Sequence, residues 1–534
     1  MNSDNTRQQL RIRRNIVDLQ DAYEQGDKAP LENLMRAWQG IKALPASDPN
    51  SFFTIGGFHG EPFRGAGWGN ASYWGGYCNH GNVLFPTWHR LYLLRLEDAL
   101  RTIPGCEEVT LPFWDETSPA SRTQGIPWAL TAETFVLDGQ TIANPLRSFV
   151  LNAAIVDHIS GDDPNYSKPL GYETVRYPLS GLVGTPADQQ QTAAHNAQFP
   201  SHAQRVQLLN DNIKNWLGSQ IVVNGQTVPT NVAWKYQRCL QAPNYTVFSN
   251  TTSAAQWNGD LPTAAAPVVP LESPHNNIHL AVGGYDVPTG PNAGDFSPIP
   301  GANGDMGEND TAALDPIFYF HHCFIDYVFW RWQLLHDSTT NLQIIAHYPG
   351  TNSVDSQGAT PGTVPNSWLT LDSPLEPFTR RDGSAATSRD CIHIENQLGY
   401  TYAAGSLDHI DAAMLRQSES ETSGDSAVAS VTGVSRADVP GSFLISLFAN
   451  VDGEYKLIDS EAVLSRWHVE GCANCQTHLR ASAFFQLDKR VFAGLQVQDL
   501  AARIVTRSEG ERPYAASLVS GERPRPTFRL ELRQ

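Results

Sequence analysis

Residues 315–335 begin Asp-Pro-Ile-Phe-Tyr-Phe-His-His and continue through Phe324, Ile325, Val328, Phe329 and Trp330. A capping Asp315 followed by Pro316 opens a helix that runs to about Leu335. Two histidines therefore sit inside an otherwise apolar, aromatic helix, where each ring needs a polar partner. His322 shares a face with Phe318, Ile325, Asp326 and Phe329, whereas His321 is turned about 100° away. One reads as a ligand and the other as a structural neighbour. Taken alone, the doublet reads better as two hydrogen-bonded core histidines.

The same opening device recurs at Ser273-Pro274, in a helix that ends at Gly283-Gly284. His275 and His279 are four apart, one turn from each other on one face, a spacing that lets two imidazoles reach a single metal. Asn276 stands where a His-Glu-x-x-His zinc protease would carry its glutamate, which removes that reading. Such a pair by itself is more often a solvated helix face. A third cluster is Cys78-Asn79-His80 followed by Phe85-Pro86-Thr87-Trp88-His89-Arg90. Pro86 opens a helix to about Ile103, so His80 can reach in from the preceding loop to meet His89. Cys78 is close enough for its sulfur to approach the His80 ring edge, although a buried small residue is the plain reading. The only histidine before His80 is His59, in Gly56-Gly57-Phe58-His59-Gly60, which makes it the candidate third ligand. Two sets of three histidines need no carboxylate. Imidazole suits zinc, copper, iron and nickel, and the pair of Glu-x-x-His motifs that a di-iron bundle needs is not present. Open positions on two such sites favour a copper pair that binds dioxygen.

The 534 residues allow one large domain or two to three ordinary ones, and the formal net charge of −18 comes without a long basic run. Nucleic acid is not expected as a partner. No apolar stretch follows the arginines near Met1, and no run of about 20 apolar residues could span a membrane, so no secretory signal or membrane anchor is read and the expected location is cytoplasmic. Seven sparse cysteines do not form a disulfide framework. From Thr6 to about Leu44 the pattern fits two helices, and Asp48 to Gly81 reads as an irregular, aromatic-rich loop. Between Glu116 and Pro270 only a helix near Ala203–Leu217 stands out. Arg416 to Gly441, rich in Ser, Ala, Asp and Thr, reads as an exposed linker. Beyond it the period becomes two, with strands at Phe443–Phe448, Glu454–Ile458, Ala481–Leu487 and Thr527–Leu532 and a turn at Asp452-Gly453.

Together the Cys-x-His loop, Pro-x-Trp-His-Arg, His-x-x-x-His and Asp-Pro-x-Phe-x-x-His-His resemble the two copper motifs of the type 3 copper proteins, specifically tyrosinases (polyphenol oxidases). The likeness runs from Thr6 to Tyr402 and closes at Tyr400-Thr401-Tyr402, similar to the family's tyrosine motif. The resemblance implies a mainly α catalytic domain (residues 1–403) whose four-helix bundle holds a dicopper site, a linker (404–441) and a C-terminal β-rich, sandwich-like domain (442–534) that can act as a lid. It implies His59, His80 and His89 on the first copper, His275, His279 and His322 on the second, and a thioether between Cys78 and His80. Glu272 and Asn276 match the family's pair that holds a water and helps deprotonate a monophenol; their plain readings are a residue at a helix's positive end and a surface amide. The family often has Asp-Arg after the doublet, and here Tyr327 follows Asp326, which puts an arginine contact near the site in question. Cys472-Ala473-Asn474-Cys475 resembles a pair linked to copper loading, with a redox pair or half a zinc site as alternatives. Phe484, Phe485 and Tyr514 are candidate plugs of the pocket, with core packing as their default.

The implied activity is copper-dependent monooxygenase and oxidase chemistry with dioxygen on small phenolic substrates, as in melanin biosynthesis: ortho-hydroxylation of monophenols and oxidation of o-diphenols to o-quinones. A catechol oxidase, a hemocyanin-like oxygen carrier and a zinc storage or structural site are the rivals. A copper chaperone and a homo-oligomer are partners the resemblance leaves open.

Overall fold

The computed structural model describes residues 10–60, 76–156, 167–262, 265–288, 303–355, 358–359, 362–364, 366–415, 426–439, 441–465, 480–506 and 526–533. Four helices form its centre: α1 (Ala29–Ala43), α2 (Phe85–Leu100), α3 (Glu272–Gly283) and α4 (Ile317–Leu335). Trp38 of α1 stacks on Phe320 of α4 at 5.9 Å and meets Tyr319 edge-on at 5.8 Å. Helix α4 is buried from Ile317 to Trp330, because its apolar residues cover every side rather than one stripe. That all-round burial makes it the axis on which the other helices pack.

Several local expectations change. Leu10 and Ile12 do not extend a helix: Arg11–Arg13 forms a strand, β1, paired in parallel with β2 (Tyr400–Tyr402). The first helix then covers Ile16–Glu24, capped by Asn15. Phe52–Gly57 is a short helix inside the stretch read as loop, capped by Ser51, whose hydroxyl accepts from Thr54 N at 3.1 Å. Ser273 is not the cap of α3, which begins at Glu272. Its hydroxyl donates instead to Glu461 at 2.6 Å. Asp315 does accept from Ile317 N at 3.1 Å and is also paired with Arg176.

The linker reading of residues 404–441 is corrected at its C-terminal end. Ser426–Ser435 is a mostly buried strand, β3, the middle strand of a sheet with β6 (Arg480–Asp488) and β8 (Arg529–Arg533). Small residues such as Ser426, Ala427, Ala429 and Ser430 mimic a linker in composition, but they fit a strand packed on both sides. A second sheet has β4 (Phe443–Val451) between β5 (Glu454–Val463) and β7 (Leu500–Thr506), all antiparallel. Phe443, Ile445, Leu447 and Ala449 point into a core shared with Ala429, Val431, Ala483, Phe485 and Leu487 of the first sheet. This is a sandwich. Leu444, Ala462, Leu464 and Val505 face the other way, into the core of the helical part. The second sheet is thus buried on both faces, which is why β4 reads as a nearly continuous apolar run.

Asp326 ties the helices together. Its Oδ1 accepts from Arg90 Nε at 2.6 Å, its Oδ2 accepts from the hydroxyls of Tyr400 (2.5 Å) and Tyr402 (2.6 Å), and Arg13 lies at 3.5 Å. The arginine contact put in question by Tyr327 is therefore supplied by Arg90, beside His89, and by Arg13. Burial alone would raise the Asp326 carboxyl, but Arg90 and Arg13 hold it below the usual range. Replacing Asp326 with Ala leaves the buried Arg90 guanidinium without a carboxylate, while Arg13 keeps Glu97 at 2.9 Å, and should cost about 3–5 kcal/mol in urea unfolding of the metal-free protein. The carboxylate's contribution should be complete above about pH 4, the unfolded value, and fade as pH falls through the lowered folded pKa.

Candidate metal centre

Seven of the 16 histidines gather at the middle of the helical part. His59, His80 and His89 form one group, and His275, His279, His321 and His322 another, each with donor atoms within 4.8 Å of one another and every ring buried. The groups abut: His89 stacks on His322 at 4.6 Å between centroids, and His80 lies 5.8 Å from His275. Nothing in the spacing of residues 59 to 322 announces that contact, which the packing of α2 against α4 creates.

The rings are held by their outer nitrogens. His59 Nδ1 meets the Asn309 carbonyl at 3.0 Å, His89 Nδ1 the Phe85 carbonyl at 2.8 Å, and His279 Nδ1 the Met306 carbonyl at 2.9 Å. A carbonyl only accepts, so each ring carries its proton on Nδ1 and aims the Nε2 lone pair inward. Close backbone approaches make two of these bonds. A Cβ on Gly60 would lie 2.3 Å from the Asp310 carbonyl oxygen, and one on Gly283 2.3 Å from Gly307 Cα. Only glycine lets residues 309 and 306 come so near. His275 Nδ1 donates to Asn276 Oδ1 at 2.8 Å, an assignment fixed because Asn276 Nδ2 donates to the Ala462 carbonyl at 3.2 Å.

In the second group, Nε2 of His322 lies 3.1 Å from Nε2 of His275 and 3.2 Å from Nε2 of His279. Since His275 and His279 are protonated at Nδ1, two lone pairs converge on His322 Nε2, which has one proton at most to offer, and a cation can satisfy what that proton cannot. His89 Nε2 is likewise buried with no hydrogen-bond partner among the described residues. Burial holds His89 down to about 3 and His275, His279 and His322 well below the usual value, so the rings remain neutral donors. The donor set, all imidazole, fits a copper pair.

The structure brings all six candidate ligands together and adds His321, which the family resemblance set aside. His321 Nδ1 lies 2.5 Å from Glu116 Oε1, and Tyr236 donates to Glu116 Oε2 at 2.5 Å. Glu116 and Tyr236 were missed because they lie in the long mixed region with no motif to mark them. Burial pushes the Glu116 carboxyl well up, and it pushes His321 down to about 3 against a hydrogen bond to the His275 backbone.

Glu272 is buried in the first turn of α3, at the helix's positive end, and Asn276 is buried rather than a surface amide. Glu272 Oε1 accepts from Gly81 N at 2.8 Å, and Oε2 from Thr251 N (2.8 Å) and its hydroxyl (2.9 Å). The carboxylate thus fastens the loop bearing His80 to the helix bearing His275. Burial raises its pKa despite those bonds. Cys78 accepts from Asn309 Nδ2 at 3.8 Å, so one residue contacts both Cys78 and His59. Phe485 belongs to the sandwich core, and Phe484 is half-buried near Lys235 and Asp459 rather than among the histidines. Cys472, Cys475 and Tyr514 lie outside the described residues.

The β part rests on α3. Lys235 donates to the Ser460 carbonyl at 2.7 Å and to Glu461 at 3.2 Å, and lies 3.3 Å from Asp459. Asn277 also reaches the Ser460 carbonyl, at 3.2 Å. Between the two parts is a cavity of about 680 Å³ lined by Thr251, Asn276, Arg436, Glu461, Ala462 and Arg480, among others.

The "Common central domain of tyrosinase" matches residues 49–335, which include every histidine of both groups. The chain is 52% identical over 502 residues to a tyrosinase of Hahella sp., covering 90% of this chain and 89% of that one. It is 45% identical over 483 residues to a tyrosinase of Aspergillus oryzae, covering 86% of each. The solved tyrosinase from Burkholderia thailandensis at a low-pH condition superposes with a TM-score of 0.82 at 46% identity, covering 98% of this chain and all of that one. With its buried imidazole groups on that shared fold, the chain belongs to the tyrosinase family and is an oxidoreductase of the copper-binding tyrosinase type.

Proposed function

We propose that this protein uses dioxygen to hydroxylate monophenols ortho to their hydroxyl and to oxidise o-diphenols to o-quinones. The observation that carries the reading is the contact of two neutral imidazole groups, His89 on His322, with Nε2 lone pairs facing inward. Two copper ions held there, by His59, His80 and His89 and by His275, His279 and His322, would supply the electron transfer to dioxygen. Around them the chain's own groups orient and deprotonate. Glu272 has three of about four carboxylate acceptor positions taken, which leaves one on Oε1 to hold a water. A phenol of pKa near 10 must lose its proton to react, and that water relays it. Asn276 orients the His275 ring while lining the cavity through which a small phenol approaches. A thioether from Cys78 to His80 would fix the His80 loop in the same way that Glu272 does at Gly81.

The β part serves as a lid over that cavity, latched by Lys235, Asp459 and Glu461. Its contact with the Ala462 carbonyl makes Asn276 the residue shared by lid and site.

Oxygen uptake by copper-loaded protein on a matched monophenol and diphenol tests the function. Consumption with both is expected, and none with either at two coppers per chain would overturn it. Glu272→Gln should depress monophenol turnover at least about tenfold more than diphenol turnover, because only the former needs the relayed proton. Lys235→Met should lower the thermal midpoint and raise the rate on a bulky diphenol relative to catechol. An unchanged ratio would remove the lid.

A further inference from the structure

A cavity of about 260 Å³ shares no lining residue with either histidine group or with the cavity beside Asn276. Its apolar side comes from Tyr177 and Leu209, which are buried, and from Leu179 and Val206, which are half-buried. Arg205, Val206 and Leu209 lie on one face of the helix His202–Gly218, so an arginine stands beside that apolar strip. The wall at residues 174–177 is held in place. Val175 N donates to Asp305 Oδ2 at 2.8 Å, Asp305 N to the Val175 carbonyl at 2.9 Å, and Tyr177 N to the Val282 carbonyl at 3.0 Å. Arg176 holds Asp315 through two further bonds, of 2.8 and 2.6 Å. The cavity is therefore preformed, and a ligand meets little ordering cost on that wall.

Three arginines line this cavity, and two of them already face carboxylates. Arg176 is paired with Asp315, and Arg147 with Glu173, whose Oε1 accepts from Arg147 Nη2 and from the Ser148 hydroxyl, both at 2.5 Å. Arg205 differs. Its Nη1 donates to the carbonyls of Phe199 at 2.9 Å and Pro200 at 3.3 Å, while its Nε and Nη2 form no hydrogen bond, and no carboxylate pairs with it, among the described residues. A guanidinium with two donors to spare matches a planar carboxylate, and the apolar strip beside it matches a hydrophobic body on that carboxylate. The volume falls below the roughly 300 Å³ at which sites for drug-sized ligands begin, which leaves room for a single ring. We propose that this cavity is a binding site for a small aromatic carboxylate, which pairs with Arg205 and lays its ring against Tyr177, Val206 and Leu209. The site stands apart from the metal centre, and its occupation does not depend on the copper reading above.

Calorimetric titration of the metal-free full chain with benzoate tests this, because benzoate then has no metal ion to bind. One equivalent should bind. Benzamide, which has the same shape without the charge, should bind at least about tenfold more weakly, and so should inorganic phosphate, which has no ring to lay on the apolar strip. Arg205→Met should lower the benzoate affinity about 10–100-fold. Val206→Trp, which fills the cavity with a bulky side chain, should abolish binding. Thermal unfolding of each variant checks the fold, and if Val206→Trp does not fold cooperatively, Arg205→Met carries the measurement. Absence of saturable benzoate binding to the wild type, equal binding of benzamide or of phosphate, or an unchanged benzoate affinity in Arg205→Met or in folded Val206→Trp overturns the proposal. Oxygen uptake by the copper-loaded wild type reports separately on the function, so either can fail alone.

Discussion

The centre of this protein depends on a conflict that the fold imposes on itself, because it buries more imidazole lone pairs than it has protons to offer them. His275 and His279 place their Nε2 atoms 3.1 and 3.2 Å from that of His322, and carbonyl or amide oxygens hold the protons of His275 and His279 on the far side of the ring. In a solvent-free core, such groups cost free energy unless something satisfies them. Backbone carbonyls from residues 306 and 309 commit His279 and His59 to this tautomer before any metal arrives. The site is preorganised in its protonation as well as in its geometry. The long segment between α3 and α4 therefore does more than connect helices, since it provides two of the acceptors that aim the ligands.

Around the imidazoles, the carboxylates stand one layer out. Glu272 grips Gly81 and Thr251, Glu116 grips His321 and Tyr236, and Asp326 joins Arg90, Tyr400 and Tyr402. Each links a histidine-bearing element to another part of the chain. Asp326 carries a depressed pKa because arginines face it, whereas burial dominates at Glu116 and Glu272 and raises theirs. The two kinds of carboxylate have different work. The arginine-paired one closes the core, while the two raised ones sit beside rings whose environment changes sign when a cation enters.

What could be read in the sequence follows from how local each signal is. Helices α2, α3 and α4 were legible because proline, a polar opening residue or glycine marks their ends, and their histidines recur at helical spacing. Four of the six proposed ligands, His89, His275, His279 and His322, stand on those helices, whereas His80 was placed from the loop before α2 and His59 by position alone. Helix geometry, which describes one helix at a time, said only that His321 and His322 point apart, and the resemblance set His321 aside. The ring reaches the second group through the neighbouring α3 and through Glu116, some 200 residues earlier. Strand β3 was misread because Ser and Ala have the composition of a linker, and only the pairing with β6 and β8 makes them interior. Helix Phe52–Gly57 was hidden by glycines that serve close packing rather than flexibility.

The placement of the β part constrains how a lid over this site could move. Leu444, Ala462, Leu464 and Val505 belong to the same apolar core as the helices, whereas alternate residues of β4 close the sandwich. Swinging the whole sandwich away would expose those side chains, at about 25 cal/mol for each Å² of apolar surface, and would also break the Lys235 cluster. Admitting a small phenol needs far less. The cavity beside Asn276 already separates the two parts there, with polar groups from each on its walls. A local adjustment at the rim of that cavity costs little apolar contact and leaves the sheet seated on α3. Access is therefore set by the polar rim around Arg436, Glu461 and Arg480, while the apolar seam beneath it holds the β part in place.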